Sequence, residues 1–407
     1  MRSLNYRRIL ALVGVFSIMC YHVIYWVNLL NDPDQRTGSD FIGFYNFGRI
    51  MEEKGIQHIY DIEEQERIEE QVVGHPVTVI FYTHLPFMAP LAAAIVDEDY
   101  LVSFKRWALV LLLLNALNVY LLANLLDLNR FTRENGLILI LGTFFFDPTA
   151  SGFMNGQDTA VLLLGAVLWV RGMFAKEYFW AGIGLSLTTV RPQAALFLAI
   201  PFLFKHRKVF WGFVLGSSIL AGISVWLLKT EGVFKFIESL RYIESTIWIE
   251  PHSFDMPTIS GMIRRNFTVT DPTLAKTFVW ICYLLGIVIF SAWWYRSEEI
   301  TEKHIGLIAI FAVFLLPYAH YHELTLLLIP TFCLLRILQT NDTVDQFYLA
   351  VFPLIISWLS ALGYAGSGVL KFPIMYTVMF ALGYILINPD KLSRVLQNSK
   401  AQTATSV

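Results

Sequence analysis

Apolar runs separated by short polar loops recur along the whole chain. A helix that crosses a bilayer needs about 20 consecutive, mostly apolar residues. On that criterion the pattern predicts spanning helices over roughly 9–29, 104–126, 136–150, 158–173, 178–190, 192–204, 209–228, 276–295, 303–318, 322–338, 346–363 and 371–388, twelve in all. A further apolar run, VTVIFYTHLPFMAPLAAAIV (77–96), carries two prolines and a histidine. It is expected to lie in the interface or to re-enter, because proline interrupts a helix that lipid requires to be fully hydrogen-bonded.

Orientation follows from Lys and Arg, which collect in short cytoplasmic loops. With 77–96 not spanning and the N-terminus inside, the cytoplasmic loops are DLNRFTREN, RGMFAKE, KHRK, YRSEEITEK, RILQTNDTVDQ and the tail KLSRVLQNSK, most of them partly basic. The opposite loops, DPTASGFMNGQD, TTVRPQ, PYAHYHE and GYAGSG, are rich in Gly, Pro, Asn, Gln and His. Two longer segments join that outer face. The first, within 31–103, contains IEEQERIEEQ (62–71), read as a solvated surface helix; the second, 229–275, contains the helix-like VFKFIESLRYIEST. Neither is long enough for a separate domain of ordinary size. The expectation is one polytopic, all-α membrane domain over 1–407, with both large loops capping an outward-facing cavity.

Composition agrees. Of the 407 residues 56% are hydrophobic and only 15% charged, where soluble domains carry about 25% charged. Arg2, Arg7 and Arg8 precede an apolar run too long for an ordinary signal peptide and without a small-x-small cleavage site, so the first run is read as an uncleaved helix. Cys20, Cys282 and Cys333 all fall in apolar runs, which argues against a disulfide framework or a cysteine metal site. The net charge of −2 gives no reason to expect a nucleic-acid partner.

The uncommon polar residues converge on the outer face: Asp40; Tyr45; Tyr82 and His84; Asn155, Gln157 and Asp158 in NGQD; Arg191 and Gln193 in RPQ; Arg264 and Arg265; His320, His322 and Glu323 in HYHE. Ionisable groups at membrane depth are costly and mark functional cavities. Each also has a bland reading. Asp40 suits a solvated helix N-cap, and Arg191 suits an interfacial anchor whose stem snorkels. His-x-His resembles a metal pair, but on a helix such neighbours point about 200° apart.

The order of these motifs resembles glycosyltransferase family 87: Asp40-x-x-x-x-Tyr45 soon after the first helix, FYTHLPFMAPL, NGQDTAVLLL, RPQAALFLAIP and PYAHYHELTLLLIP. Together they cover about residues 10–390. The family often has Lys where Arg191 stands, Tyr-Pro-Pro against YTHLP, and Ser-Pro-x-x-Trp-x-His-His against LPYAHYH. The resemblance implies a GT-C fold and an inverting hexosyltransferase, mannose being the expected sugar, with a polyprenyl-phosphate-sugar donor and a lipid or glycan acceptor. It implies a site on the outer face of the cytoplasmic membrane with Asp40 as base. Arg191, His320, His322, Arg264, Arg265, Gln157 and Asn155 are then the donor residues, a point charge sufficing at 191. Tyr45, Tyr82, His84 and Gln193 line the acceptor cavity. No cofactor or metal is expected. Two other readings stay open at this level: a transferase of the same architecture for another lipid-linked group, and a lipid or sugar transporter, against which the one-sided clustering of polar groups counts.

Overall fold

The computed structural model describes residues 6–32, 40–76, 79, 84–243, 256–266, 272–341, 344–365 and 372–396. All regular elements among them are helical. In chain order they are α1 (Tyr6–Asn31), α2 (Phe41–Lys54), α3 (Ile62–Val73), α4 (Ala89–Ile95), α5 (Tyr100–Ala123), α6 (Arg133–Phe144), α7 (Asp147–Met154), α8 (Thr159–Phe174) and α9 (Tyr178–Ser186). There follow α10 (Pro192–Ala199), α11 (Arg207–Ile243), α12 (Ile259–Asn266), α13 (Pro272–Arg296), α14 (Glu302–Leu315), α15 (Leu328–Gln339), α16 (Gln346–Ala365) and α17 (Pro373–Ile387). Short 3₁₀ turns join several of them, of which Tyr321–Leu327 matters most.

Every one of the twelve expected segments is helical, but length separates them. Among the described residues six helices are long and apolar enough to cross a membrane: α1, α5, α11, α13, α16 and the run Tyr321–Gln339 that ends in α15. The pair α6 and α7, bent by 46°, makes a seventh if taken as one span. Helices α8, α9, α10, α14 and α17 are shorter. The described part of 77–96 is a 3₁₀ turn (Pro86–Met88) followed by the seven residues of α4, far below spanning length.

Proline explains where the bundle breaks. A proline clashes with the carbonyl four residues earlier and pushes the preceding residue out of the helical region. Pro148 does this between α6 and α7, and the Phe144 carbonyl is taken up by the Asn115 amide at 3.0 Å. Pro192 leaves Arg191 at φ −126°, ψ 85°, and Pro317 leaves Leu316 at ψ 130°. These three breaks deliver the NGQD turn, Arg191 and the HYHE segment. Helices α9 and α11 approach through glycine: a Cβ on Gly182 would stand 2.0 Å from the Val209 carbonyl oxygen, the small-residue contact common between membrane helices.

One expectation about the outer loops is corrected. Helix α3 is not solvated all round: Gln65 is fully buried with its amide on the Ile59 carbonyl at 2.8 Å, and Ile68 and Glu69 are buried beside it. The helix-like part of 229–275 is helical as far as Ile243, and Lys229 (φ 55°, ψ −173°) breaks it from the spanning part of α11 where the span was expected to end.

Candidate active site

At the centre lies Arg191, in the gap that Pro192 opens between two helices. Its Nε donates to Glu323 Oε1 at 2.6 Å, Nη1 to Asp158 Oδ1 at 3.0 Å and to its neighbour's carbonyl, Val190 O, at 3.1 Å, and Nη2 to Gln157 Oε1 at 2.9 Å. The side chains of Arg191, Asp158 and Glu323 are 17%, 0% and 3% exposed, so this is a buried ion triad and not a surface bridge. Burying one partner without the others leaves an uncompensated charge, which is strongly destabilising.

Histidines flank the triad on both sides. His84 Nδ1 sits 2.9 Å from Asp158 Oδ2 and 3.1 Å from Arg191 Nη1. The nitrogen can donate to the carboxylate or accept from the guanidinium, but not both. The Tyr60 hydroxyl donates to the His84 carbonyl at 2.5 Å, and the Phe44 ring packs 4.8 Å from the imidazole. On the other side His322 Nε2 lies 3.3 Å from Glu323 Oε1, the His320 backbone N–H donates to Glu323 Oε2 at 2.6 Å, and His320 Nε2 meets the Tyr318 hydroxyl at 2.9 Å. Burial alone would raise the Asp158 carboxyl, yet His84 and Arg191 beside it outweigh that and hold it down to about 2. Burial works against the charged Arg191 too, and Asp158 and Glu323 more than offset it, raising the guanidinium further.

Asp40 stands apart from the triad. It caps α2, partly exposed, and among the described residues its carboxylate accepts no hydrogen bond. The next residue ties it to the site: Phe41 N–H donates to the Asn155 carbonyl at 2.9 Å. Gly156 follows at φ +80°, where any Cβ would fall 2.5 Å from that of Phe41, so the NGQD turn closes on α2 only with glycine there. The Trp107 indole holds the Gly156 carbonyl at 2.7 Å. Burial raises the Tyr318 hydroxyl pKa, and the charges of Glu323 and then Asp40 raise it further, which puts Asp40 within electrostatic reach of the HYHE side.

The structure therefore brings together His84, Gln157, Arg191, His320 and His322 directly, with Asp40 and Asn155 joined through backbone. Other expected residues are placed elsewhere. The Tyr45 hydroxyl is used on the Glu98 carbonyl at 2.8 Å and its ring is buried against Phe41 and Tyr100, so it packs α2 and does not line a cavity. The backbone carbonyl of Gln193 accepts from the Tyr283 hydroxyl at 2.8 Å. Arg264 and Arg265 lie on α12; Arg265 is taken up by the Met256 carbonyl at 2.9 Å, the Tyr376 hydroxyl at 2.5 Å and the Phe372 ring at 4.8 Å, which commits it to α17. Tyr82 lies outside the described residues. Arg191 was expected to meet a donor phosphate, and its donors are instead spent largely on two carboxylates. Asp158 and Glu323 carry no role in the sequence reading; the signal that could have found them is a buried arginine's need for counter-charge.

An open cavity of about 490 Å³ is lined by Asp127, Arg130, Glu302, Arg336 and Gln339 among others. It sits at the C-terminal ends of α5 and α15, whereas Trp107 and the HYHE segment lie toward their N-terminal ends. Its charges pair with one another, Arg336 with Glu302 at 3.0 Å and Arg130 with Asp127 at 3.4 Å.

The model of glycosyltransferase family 87 matches residues 82–317, more than half of the chain. The match contains NGQD and RPQ and stops short of Asp40 on one side and HYHE on the other. No curated protein and no solved structure matches.

Proposed function

The chain belongs to glycosyltransferase family 87 and is a membrane glycosyltransferase, and on that premise we propose that it moves a hexose, mannose first among candidates, from a polyprenyl-phosphate sugar to a lipid or glycan acceptor. The observation that carries this reading is the contrast between the acids. Asp158 and Glu323 are both ion-paired to Arg191, while Asp40 sits against the same NGQD turn without a hydrogen-bond partner among the described residues. A carboxylate without a partner is the one able to take a proton.

In this reading Asp40 removes the acceptor hydroxyl's proton as its oxygen attacks the anomeric carbon from the face opposite the phosphate. The new C–O bond forms as the old one breaks, the bonding pair leaves on the phosphate oxygen, and polyprenyl phosphate departs. One displacement inverts the anomeric centre. The phosphate is already a good leaving group, so no general acid is called for, but charge grows on it. Donors aimed at developing charge stabilise the transition state more than the ground state. The imidazoles of His84, His320 and His322 and the Tyr318 hydroxyl are suited to that task. Arg191 acts one step back: its one positive charge lowers the net charge of the two acids from −2 to −1 and so reduces their repulsion of the phosphate. The GT-C fold, the shorter helices completing about twelve crossings, the outer-face location in the cytoplasmic membrane and metal independence belong to the same proposal.

The test is transfer by purified protein or membranes from a panel of radiolabelled polyprenyl-phosphate sugars. Label appearing in the lipid or glycan fraction from one donor, and lost with Asp40→Asn, supports the reading. Transfer from a nucleotide sugar and from none of the lipid donors overturns it.

A further inference from the structure

Asp147 is a carboxylate that this transfer chemistry does not use. It is the first residue of α7, just past the bend, and is 5% exposed. Ionisable groups at such depth are expensive and rarely idle. Its backbone N–H donates to Ser357 Oγ of α16 at 2.8 Å, its Oδ2 accepts from the Tyr321 hydroxyl, and its Oδ1 faces His22 Nε2 of α1 at 3.4 Å.

Tyr321 lies between His320 and His322. In a 3₁₀ helix three residues make one turn, so Tyr321, His322 and Glu323 project in three directions. Tyr321 takes Asp147 and Glu323 takes Arg191. The same turn meets α7 again where Thr149 Oγ1 and Thr325 Oγ1 are 2.5 Å apart, and at Gly152, where an added Cβ would stand 3.4 Å from His322 Cβ. Helix α7 then runs directly into NGQD.

We propose that Asp147 is a positioning residue for sugar transfer: by holding Tyr321 it sets the roll of the 321–327 helix against α7, and so aims His322 and Glu323 at Arg191. This rests on the reading of the Arg191 cluster as the active site.

Two measurements test it, using polyprenyl-phosphate mannose with the glucose and galactose donors in parallel. Tyr321→Phe leaves the buried carboxylate without its donor, and both the unfolding midpoint in detergent and kcat are expected to fall, kcat by at least about tenfold. The double variant Asp147→Leu/Tyr321→Phe replaces both partners with apolar groups, which is close to neutral for stability. Its midpoint is expected to recover while kcat stays at least about tenfold down and donor KM stays within about twofold. A kcat that recovers along with the midpoint overturns the proposal. Should the double variant not fold, Asp147→Asn, which keeps an oxygen to accept from Tyr321, is expected to outpace Asp147→Leu by at least about fivefold; equal rates overturn it. Register is also read without substrate. In a chain with Cys20, Cys282 and Cys333 replaced by alanine, cysteines at Thr149 and Thr325 are expected to cross-link readily under copper phenanthroline, and at least about fivefold more slowly with Tyr321→Phe. Unchanged cross-linking overturns the positioning role, whereas a parent protein that transfers no lipid-linked sugar overturns only the functional reading.

Discussion

Arg191→Lys separates the geometry from the resemblance. The family's frequent lysine implies that a point charge suffices at this position. The structure argues otherwise, because three different guanidinium nitrogens reach Glu323, Asp158 and Gln157 at 2.6, 3.0 and 2.9 Å. A lysine offers one nitrogen at the end of a flexible stem and cannot span that fork. It can keep one carboxylate, loosen the other and abandon Gln157. A charge-assisted hydrogen bond contributes about 1.5–3 kcal/mol, and stranding a buried charge costs about 3–5 kcal/mol. Since the ammonium still attracts the second acid from a distance, the net loss works out at about 3 kcal/mol, or roughly a hundredfold in transfer rate if the same geometry serves the transition state. The assay pairs intrinsic-fluorescence unfolding in detergent with transfer kinetics. The pH is chosen from Asp158: its folded pKa lies below the ordinary carboxylate value, so the stability it contributes is present above about 4 and lost only as pH falls toward 2. Both proteins are therefore compared at one fixed pH between 5 and 8, above the range in which that contribution is lost. An Arg191→Lys protein that unfolds and transfers like wild type would falsify the claim that the fork matters.

The remaining predictions are quickly stated. Asp40→Asn keeps the side chain's shape without its proton affinity and is expected to slow single-turnover transfer by at least about a hundredfold with donor affinity little changed; a wild-type rate returns Asp40 to a helix cap. Transfer is expected to survive EDTA, and loss of activity restored by magnesium or manganese would make Asp40 a metal ligand instead. Cysteines placed near 72 and 100 are expected to label from outside and one near 130 not; labelling near 100 only after permeabilisation reverses the topology. Gly156→Ala forces a Cβ to 2.5 Å from that of Phe41 at φ +80°, and is expected to lower the unfolding midpoint and activity together by displacing α2; an unaffected protein removes the turn from the argument.

Much of this protein was legible as a string. Hydrophobic runs marked twelve of the helical segments, because lipid demands both apolar length and internal hydrogen bonding of the backbone. Prolines 148 and 317 break runs that the apolar pattern reads as single spans (136–150 and 303–318), and Pro192 falls at an expected boundary. The gathering of NGQD, RPQ and HYHE on one face followed from counting crossings and basic loops. What the string did not carry was pairing. Arg191 and Glu323 are 132 positions apart and Asp147 and Tyr321 are 174 apart; periodicity says which way a side chain leaves its own helix, and nothing about which acid waits on another. The bundle alone decided that Arg191 pairs with two carboxylates, that Arg265 turns to α17 and that Tyr45 packs instead of lining a cavity. A buried charge takes whichever counter-charge the packed helices bring within about 3 Å, and that distance exists only after the chain has folded.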